Sequence, residues 1–165
     1  MHDFDHIELC MGTGFRFQGK SVLDYADTDH AIQIACAIMH EADNIFSLYK
    51  PESPLSQLAA GKTSVAECPS VVSEVWDACE VWETKTDGWF SPFTPEHTFD
   101  PSGLVKTWAA QASIDVLLGA GLTDFTMNAG GNNSSTSYAG VISGTGGITK
   151  SGSGTLTLTS DNSYE

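Results

Sequence analysis

Basic residues are scarce in this chain, which has 7 lysines and arginines against 21 acidic residues and a net charge of −14 over 165 residues. So few cations form no surface that neutralises phosphates, which excludes nucleic-acid binding and attraction to an anionic membrane. The chain also lacks a run of about 18 apolar residues, so we expect no membrane-spanning helix. The segment Met1–His6 is acidic and has no apolar stretch typical of a signal peptide. These absences predict a cytoplasmic protein, or a periplasmic or secreted one where an upstream signal precedes this sequence.

Closely spaced metal-ligand motifs are absent as well. The four cysteines have wide spacings without a C-x-x-C pair, which predicts reduced, mostly buried thiols of a cytoplasmic protein; they are Cys10, Cys36, Cys68 and Cys79. His2 and His6 are near enough to chelate a metal ion at the N-terminus. Such spacing often arises by chance, and zinc sites need more ligands at tighter spacing, so the histidines predict no metal site.

The composition changes near residue 132 and divides the chain into two parts, 1–131 and 132–165. Glycine, serine and threonine make up 20 of the last 34 residues, and Leu156 and Leu158 alternate with threonines in the manner of a strand. Residues 138–158, followed by Asp161-Asn162-Ser163-Tyr164, resemble the passenger-associated repeat of bacterial autotransporters. Because one such repeat cannot bury its own apolar face, we expect a short strand pair or a disordered tail. The alternative is a low-complexity tail with chance strand character.

Residues 1–131 are long enough for a sizeable core and predict an α+β fold, with helices packed on a mixed or antiparallel sheet. One helix stripe steps by three and four residues from Ala31 through Ile38 and Ile45 to Tyr49, and Pro51 ends it. The predicted elements are a strand with a bend or bulge over 7–17, helices over 31–50, 70–86 and 103–118, and a strand over 125–128.

Three features of this part suggest a ligand site. Pro101 and Gly103 place a turn before the third helix, and the free backbone N–H groups at the start of that helix favour an anion. Lys106, in the first turn of the predicted helix, either has a phosphate or carboxylate partner or is simply an exposed lysine. Gly130-Gly131 after a strand either admits a phosphate to the backbone or forms an ordinary turn. Tyr49 at a helix end either stacks on a planar ligand or belongs to the core boundary.

Five short motifs, taken together and in order, resemble the N-terminal half of the FAD:protein FMN transferases, the ApbE-type flavin transferases. Enzymes of that family cleave the FAD pyrophosphate and attach FMN through a phosphoester to a threonine or serine of a target protein, using Mg²⁺. The motifs cover about residues 5–131 and are Met11-Gly12-Thr13, Phe46-Ser47-x-Tyr49 with Ser53-x-x-Ser56, Thr86-Asp87-Gly88-x-Phe90, Asp100-x-x-Gly103-x-Val105-Lys106 and Asn128-Ala129-Gly130-Gly131.

The resemblance implies FAD and magnesium as cofactors, a target protein as partner, and a set of site residues. It implies that Met11 and Tyr49 contact the isoalloxazine or its surroundings, and that the Val105 backbone carbonyl is a magnesium ligand. The bound cation would also screen a pyrophosphate that so acidic a protein otherwise repels. The implied cofactor-binding residues are Met11, Tyr49, Asp87, Gly88, Asp100, Gly103, Lys106, Gly130 and Gly131.

The chain departs from the family pattern at several points. Thr107 stands where the family has glycine after the lysine, and Asn132 stands where it has an acidic residue. The family's second half, with its catalytic histidine region and remaining magnesium ligands, has no counterpart in this sequence, and no catalytic residue is identified. Two hypotheses follow: an FMN transferase family member that is incomplete, or a catalytically silent truncated or chimeric chain with a passenger-type tail.

Overall fold

The computed structural model describes residues 1–95 and 97–129, together with the backbone of four short strands within 136–164. Strands β1 (His2–Cys10) and β2 (Thr13–Ser21) come first and are followed by helices α1 (Tyr25–Phe46) and α2 (Pro54–Ala59). A 3₁₀ turn (Val65–Glu67), α3 (Ser70–Lys85), α4 (Ser102–Gly119) and β3 (Asp124–Ala129) complete the main part. The helices pack on a small antiparallel sheet, which confirms the predicted α+β class.

The sheet has the order β1-β2-β3, and both neighbouring pairs are antiparallel. β1 and β2 form a hairpin whose two-residue turn is Met11-Gly12, with φ of 50° and 70°. Positive φ at both central residues is typical of the type I′ turn, whose twist matches that of the paired strands. The prediction of one bent strand over 7–17 was therefore wrong. The glycines that suggested a bulge belong instead to the turn and to the start of β2.

Helix α1 begins earlier and ends earlier than the sequence predicted. Asp24 is its N-cap, and the Asp24 carboxylate accepts a hydrogen bond of 2.8 Å from the amide of Asp27. The helix ends at Phe46, because Ser47 takes up an extended backbone conformation. Tyr49 thus lies beyond the helix and is 97% exposed, so its expected place along the buried stripe was wrong.

Helices α1 and α4 pack against each other in opposite directions, and this pair forms the centre of the core. Phe46 at the end of α1 contacts Trp108 near the start of α4, with ring centroids 6.0 Å apart. Further along, the hydroxyl of Ser113 donates a buried 2.9 Å hydrogen bond to the carbonyl of Ala35. Small residues at the contact let the two backbones approach closely. The buried residues of this interface and of the sheet face beneath it include Phe15, Phe17, Ala31, Ala35, Met39, Ala42, Val105, Ala109 and Leu117.

The remaining helices extend the core on one side. α3 begins at Ser70 as predicted and buries Val72, Val75 and Cys79, whereas Trp82 is 46% exposed and was wrongly placed on the inner face. The short helix α2 was not predicted; the Ser53 hydroxyl caps it by accepting a 3.0 Å hydrogen bond from the amide of Ser56. No helix in the described part of the chain is long and apolar enough to cross a membrane.

The four cysteines are all free thiols, in agreement with the sequence prediction. Cys10, Cys36 and Cys79 are buried and Cys68 is half-buried. Burial raises the pKa of Cys36 to about 12 and that of Cys79 to about 11. Each of these two thiols therefore stays protonated well above neutral pH.

Beyond residue 135 the described backbone consists of two pairs of parallel strands. β4 (Thr136–Tyr138) pairs with β6 (Leu156–Leu158), and β5 (Ser143–Gly144) pairs with β7 (Ser163–Tyr164). The strand predicted at Leu156 is confirmed. Thr136 pairs with Leu156 and Ser143 with Ser163, so both pairs share one offset of twenty residues. The resemblance to an autotransporter repeat stays a prediction.

Candidate functional site

A pocket of about 310 Å³ lies where α1 ends and α4 begins, beside the β1–β2 turn. Three segments that are far apart in sequence form its walls: the β1–β2 turn, the end of α1 with the loop after it, and the first five residues of α4. The volume falls at the lower end of the range of small-molecule sites, about 300–1,000 Å³. The lining residues are Met11, Gly12, Ala42, Asp43, Phe46, Ser47, Leu48, Tyr49, Lys50, Ser102, Val105 and Lys106.

Met11 forms the wall on the side of the sheet. It is half-buried, packs against the core, and has a φ of 50°, which is uncommon for a residue other than glycine. Within the described residues, the other non-glycine positions with positive φ are Asp87 and His97. Backbone strain of this kind persists only where the surroundings enforce it, and it often occurs at ligand sites. Two of the three strained residues, Met11 and Asp87, belong to the set implied by the resemblance.

The loop after α1 is held in place by the serines of the second motif. The carbonyl of Ser47 accepts hydrogen bonds from the hydroxyls of Ser53 and Ser56, at 2.5 and 3.0 Å. These contacts tie the loop to the start of α2 and thereby fix the segment that carries Tyr49. The spacing of Ser53 and Ser56 is therefore explained by local structure, and neither residue lines the pocket.

Two lysines lie at the pocket, and they differ in their partners. Lys50 is bound to Asp43 at 2.5 Å and to the side-chain oxygen of Asn44 at 2.8 Å. Lys106, the fifth residue of α4, is exposed and forms no ion pair within the described residues. A cation at this end of a helix opposes the helix dipole, so an anion bound nearby would stabilise it. Lys106 is accordingly the side chain best placed to meet a phosphate.

The start of α4 is less open to an anion than the sequence predicted. Asp100 accepts a 3.0 Å hydrogen bond from the amide of Ser102 and a second one from its hydroxyl. The amides of Leu104 and Val105 both donate to the carbonyl of Pro101. The expectation of several free N–H groups was therefore wrong, because the chain's own oxygens occupy most of them. Asp100 acts here as a cap of the turn and does not line the pocket.

Asp87 and Gly88 lie outside the pocket but are connected to its α4 wall. They form a left-handed turn after α3, with φ of 52° and 79°. The Thr86 hydroxyl in turn accepts a 3.0 Å hydrogen bond from the amide of Phe90. The Phe90 ring then packs on Gly103, where a β-carbon would lie 3.1 Å from Cε2. The absence of a side chain at Gly103 leaves room for this ring. The Thr86–Phe90 motif thus packs against the start of α4, which carries the Asp100–Lys106 motif.

The fifth motif is described only in part. Ala129 pairs with Phe15, which places the end of β3 at the same end of the sheet as the Met11-Gly12 turn. Asn128 pairs with Arg16 in the same register. Gly130 and Gly131 lie outside the described residues, so their predicted role stays a prediction.

The described residues fit a flavin better than they fit magnesium. Met11, Phe46 and Tyr49 offer apolar and aromatic surface, and Lys106 offers a cation. Among the described residues, the only carboxylate that lines the pocket is Asp43, which is paired with Lys50. The Val105 carbonyl lies in the hydrogen-bond ladder of α4. Mg²⁺ takes near-octahedral oxygen ligands, which this set does not supply.

The pocket contains some of the site residues predicted from the sequence and several that were not predicted. Of the ten predicted residues, counting Val105, the structure brings together Met11, Tyr49, Val105 and Lys106. The polar contributions of Asp43, Lys50 and Ser102 were missed. Asp43 and Lys50 are seven residues apart, which is about two helical turns. In the helix predicted over 31–50 they would share one face, and this spacing was the sequence signal for the ion pair.

Comparison with solved structures shows that the α+β arrangement is similar to part of the fold of ApbE proteins. The ApbE protein of Thermotoga maritima has a TM-score of 0.63 at 14% identity, covering 79% of this chain and 57% of that one. The flavin transferase ApbE of Vibrio cholerae gives 0.59 at 14% identity, covering 76% of this chain and 56% of that one. This chain thus spans little more than half the length of these proteins. No protein-family model matches the sequence, and no curated protein matches it.

Proposed function

We propose that this chain binds a flavin nucleotide in the pocket between the β1–β2 turn, the end of α1 and the start of α4. The observation that carries the proposal is the convergence of Met11, Tyr49 and Lys106 on one pocket. These residues lie in three separate sequence motifs, and the structure places all three at the pocket. The ApbE fold of the neighbours supports the same interpretation.

Each wall has a distinct role in this proposal. Met11 and Phe46 pack against the flavin ring system, and Tyr49 covers it from the loop, where its ring is free to stack on a planar ligand. Lys106 donates to a phosphate of the nucleotide, and Ser102 offers a hydroxyl beside it. A charge-assisted hydrogen bond of this kind contributes on the order of 1.5–3 kcal/mol.

Transfer of FMN to a threonine or serine of a target protein is the finer proposal, and it rests on the fold of the neighbours. When bound, magnesium would supply charge neutralisation at the pyrophosphate. The described residues do not complete a magnesium site, so nucleotide binding and FMN transfer are separate expectations. A catalytically silent chain that retains the flavin pocket is the second candidate, favoured by the ion-paired state of Asp43.

The binding proposal is tested by titrating the purified chain with FAD, FMN and riboflavin while flavin fluorescence is recorded. We expect saturable binding of all three, with Lys106→Ala weakening FAD and FMN about 10-fold or more and leaving riboflavin unchanged. Lys62→Ala is the matched control, because Lys62 is exposed and does not line the pocket. Absence of saturable binding, or equal losses in both variants, contradicts the proposal.

Transfer is tested separately by incubating the chain with FAD and Mg²⁺ and measuring by chromatography the release of AMP, the group that leaves when FMN passes to a hydroxyl or to water. Turnover above that of the Lys106→Ala variant supports the transferase. Retention of FAD without turnover supports the silent candidate. The two results are distinguishable because the titration measures the pocket alone.

A further inference from the structure

A second group of reactive side chains lies outside the pocket, where β1 packs on α1. His6 and Glu8 are two residues apart on β1, so their side chains leave the same face of the sheet. Cys36 and His40 are four residues apart on α1 and share one face of the helix. The packing of the strand on the helix brings these two pairs together.

The distances within this cluster suit a metal ion. His6 Nε2 lies 3.1 Å from Glu8 Oε2 and 3.5 Å from Cys36 Sγ. The three ligand atoms all lie within 4.8 Å of one another. A tetrahedral zinc ion, with bonds of about 2.0–2.3 Å, holds its ligand atoms roughly 3.3–3.6 Å apart. One ion therefore fits among these atoms after side-chain movements of about an ångström or less.

We propose that His6, Glu8 and Cys36 form a binding site for a divalent transition-metal ion of the zinc class. An imidazole nitrogen, a carboxylate oxygen and a thiolate sulfur are all ligands of zinc, and the sulfur disfavours magnesium and calcium. Cys36 is only 7% exposed, whereas the side chains of His6 and Glu8 are 37% and 25% exposed. The thiol thus forms the floor of the site, and solvent reaches a fourth coordination position from the outer side.

His40 is a positioning residue in this site. Its Nε2 atom lies 2.9 Å from Oε1 of Glu8, the carboxylate oxygen that does not face His6. A hydrogen bond at that oxygen orients the carboxylate and leaves Oε2 directed toward the cluster. Removing such an outer partner typically weakens metal binding about 10–100-fold.

The site is independent of the proposed flavin function, because it shares no residue with the pocket. His2 does not take part: its ring stacks on Tyr25, with centroids 3.9 Å apart. Within the described residues, this is the one group of three or more side chains placed to share a metal ion.

The test is titration of the untagged, chelator-treated and reduced chain with Co²⁺, followed by absorption spectroscopy. We expect one equivalent to bind, with a thiolate-to-cobalt charge-transfer band that Zn²⁺ abolishes by displacement. Cys36→Ser removes that band, and His6→Ala weakens binding more than about 100-fold, beyond the loss typical of an outer partner. His40→Ala keeps the band and weakens binding about 10–100-fold, a pattern that a purely structural role does not produce.

Two variants control for general effects on the fold. Cys79→Ser alters a buried thiol on another helix, and His30→Ala removes an exposed imidazole from α1 itself. Both are expected to bind Co²⁺ as the unmodified chain does, and Glu8→Gln, which keeps the side-chain shape, is expected to bind more weakly. Circular dichroism of each variant verifies folding. A chain that binds no Co²⁺ saturably, or whose folded His6→Ala and Glu8→Gln variants bind it unchanged, holds only a hydrogen-bonded cluster and overturns the proposal.

Discussion

Ser113 in α4 donates a 2.9 Å hydrogen bond to the backbone carbonyl of Ala35 in α1, and the hydroxyl is completely buried. This contact lies in the middle of the α1–α4 pair, and the pocket lies at the end of the pair where α1 ends and α4 begins. The same hydroxyl is 2.9 Å from the carbonyl of Ala109 in its own helix. A small polar side chain at this position therefore lets α1 and α4 pack close together.

Substitution of Ser113 tests this packing. Ser113→Ala is expected to lower the free energy of unfolding by about 1 kcal/mol, because one buried hydrogen bond is lost while the close contact remains. Ser113→Leu is expected to cost more, on the order of 2–3 kcal/mol, because its larger side chain pushes the helices apart. Urea unfolding followed by circular dichroism measures both. Equal costs for the two variants contradict the packing argument.

Gly19 in β2 is required by the neighbouring strand. A β-carbon at this position would lie 2.2 Å from the carbonyl oxygen of Asp124 and 2.6 Å from Cα of Phe125. Gly19→Ala is therefore expected to lower the free energy of unfolding by on the order of 2–4 kcal/mol and to loosen β3.

Gly14→Ala, in the same strand, is the matched control for Gly19→Ala. A β-carbon there meets only Leu9 Cδ2 at 3.6 Å, an ordinary contact. We expect a change within about 0.5 kcal/mol. Hydrogen exchange of the β3 amides locates the effect. Similar stabilities for the two alanine variants are the result that contradicts this description of the sheet.

The sequence predicted the class of fold and the main helices, because apolar residues recur at helical spacing in α1 and α3, and because α4 is an apolar segment bounded by Gly103 and Gly119. It placed Tyr49 on α1 because the stripe of threes and fours continues to that residue. The helix stops at Phe46 instead, since the hydroxyls of Ser53 and Ser56 hold the Ser47 carbonyl in a turn. Such a competition between helix and cap is not visible in the apolar pattern.

The hairpin and the second cluster were missed for different reasons. Met11-Gly12 is an unusual pair for a type I′ turn, which favours asparagine or aspartate before glycine, so the sequence carried no strong hairpin signal. Glu8 and Cys36 meet only because β1 packs on α1 in a particular register, and no local spacing reveals that register. The spacing of His6 and Glu8 on β1, and that of Cys36 and His40 on α1, places each pair on one face of its element. Nothing in the sequence shows that the two pairs meet.

Raised pKa values at buried cysteines predict how stability varies at alkaline pH. The pKa of Cys79 is raised to about 11 by burial and, to a smaller degree, by Glu83. Above pH 9 the unfolded chain releases this proton while the folded chain keeps it, so the free energy of unfolding falls as the pH rises from 9 toward 11. The stability that the protonated Cys79 thiol contributes is present in full below pH 9, because 9 is the ordinary pKa of a cysteine thiol.

The measurement compares urea midpoints at pH 8 and pH 10 for the unmodified chain and for Cys79→Ala. The alanine variant is expected to lose less stability over this interval, by on the order of 1–2 kcal/mol. Cys68→Ala serves as a control for a half-buried thiol elsewhere. An identical pH dependence of all three proteins argues against the buried thiol as the cause.

The serines that brace the loop after α1 are expected to affect flavin binding indirectly. Ser53→Ala removes the cap of α2, which costs about 1 kcal/mol of stability, and frees the Ser47 carbonyl from one of its two donors. The loop that carries Tyr49 then becomes less ordered, so FAD affinity is expected to fall several-fold. The corresponding control is Ser64→Ala, which disturbs only the 3₁₀ turn Val65–Glu67 away from the pocket. Unchanged FAD affinity in a folded Ser53→Ala variant removes Tyr49 from the proposed site.

The most direct test of the flavin proposal is a titration of the ¹⁵N-labelled chain with FAD, followed by the amide resonances. A flavin bound in this pocket shifts the amide resonances of three segments, 11–12, 42–50 and 102–106, with no comparable shifts around His6 and Cys36. Shifts confined to other surfaces, or no saturable shifts at all, would show that this pocket does not hold a flavin nucleotide.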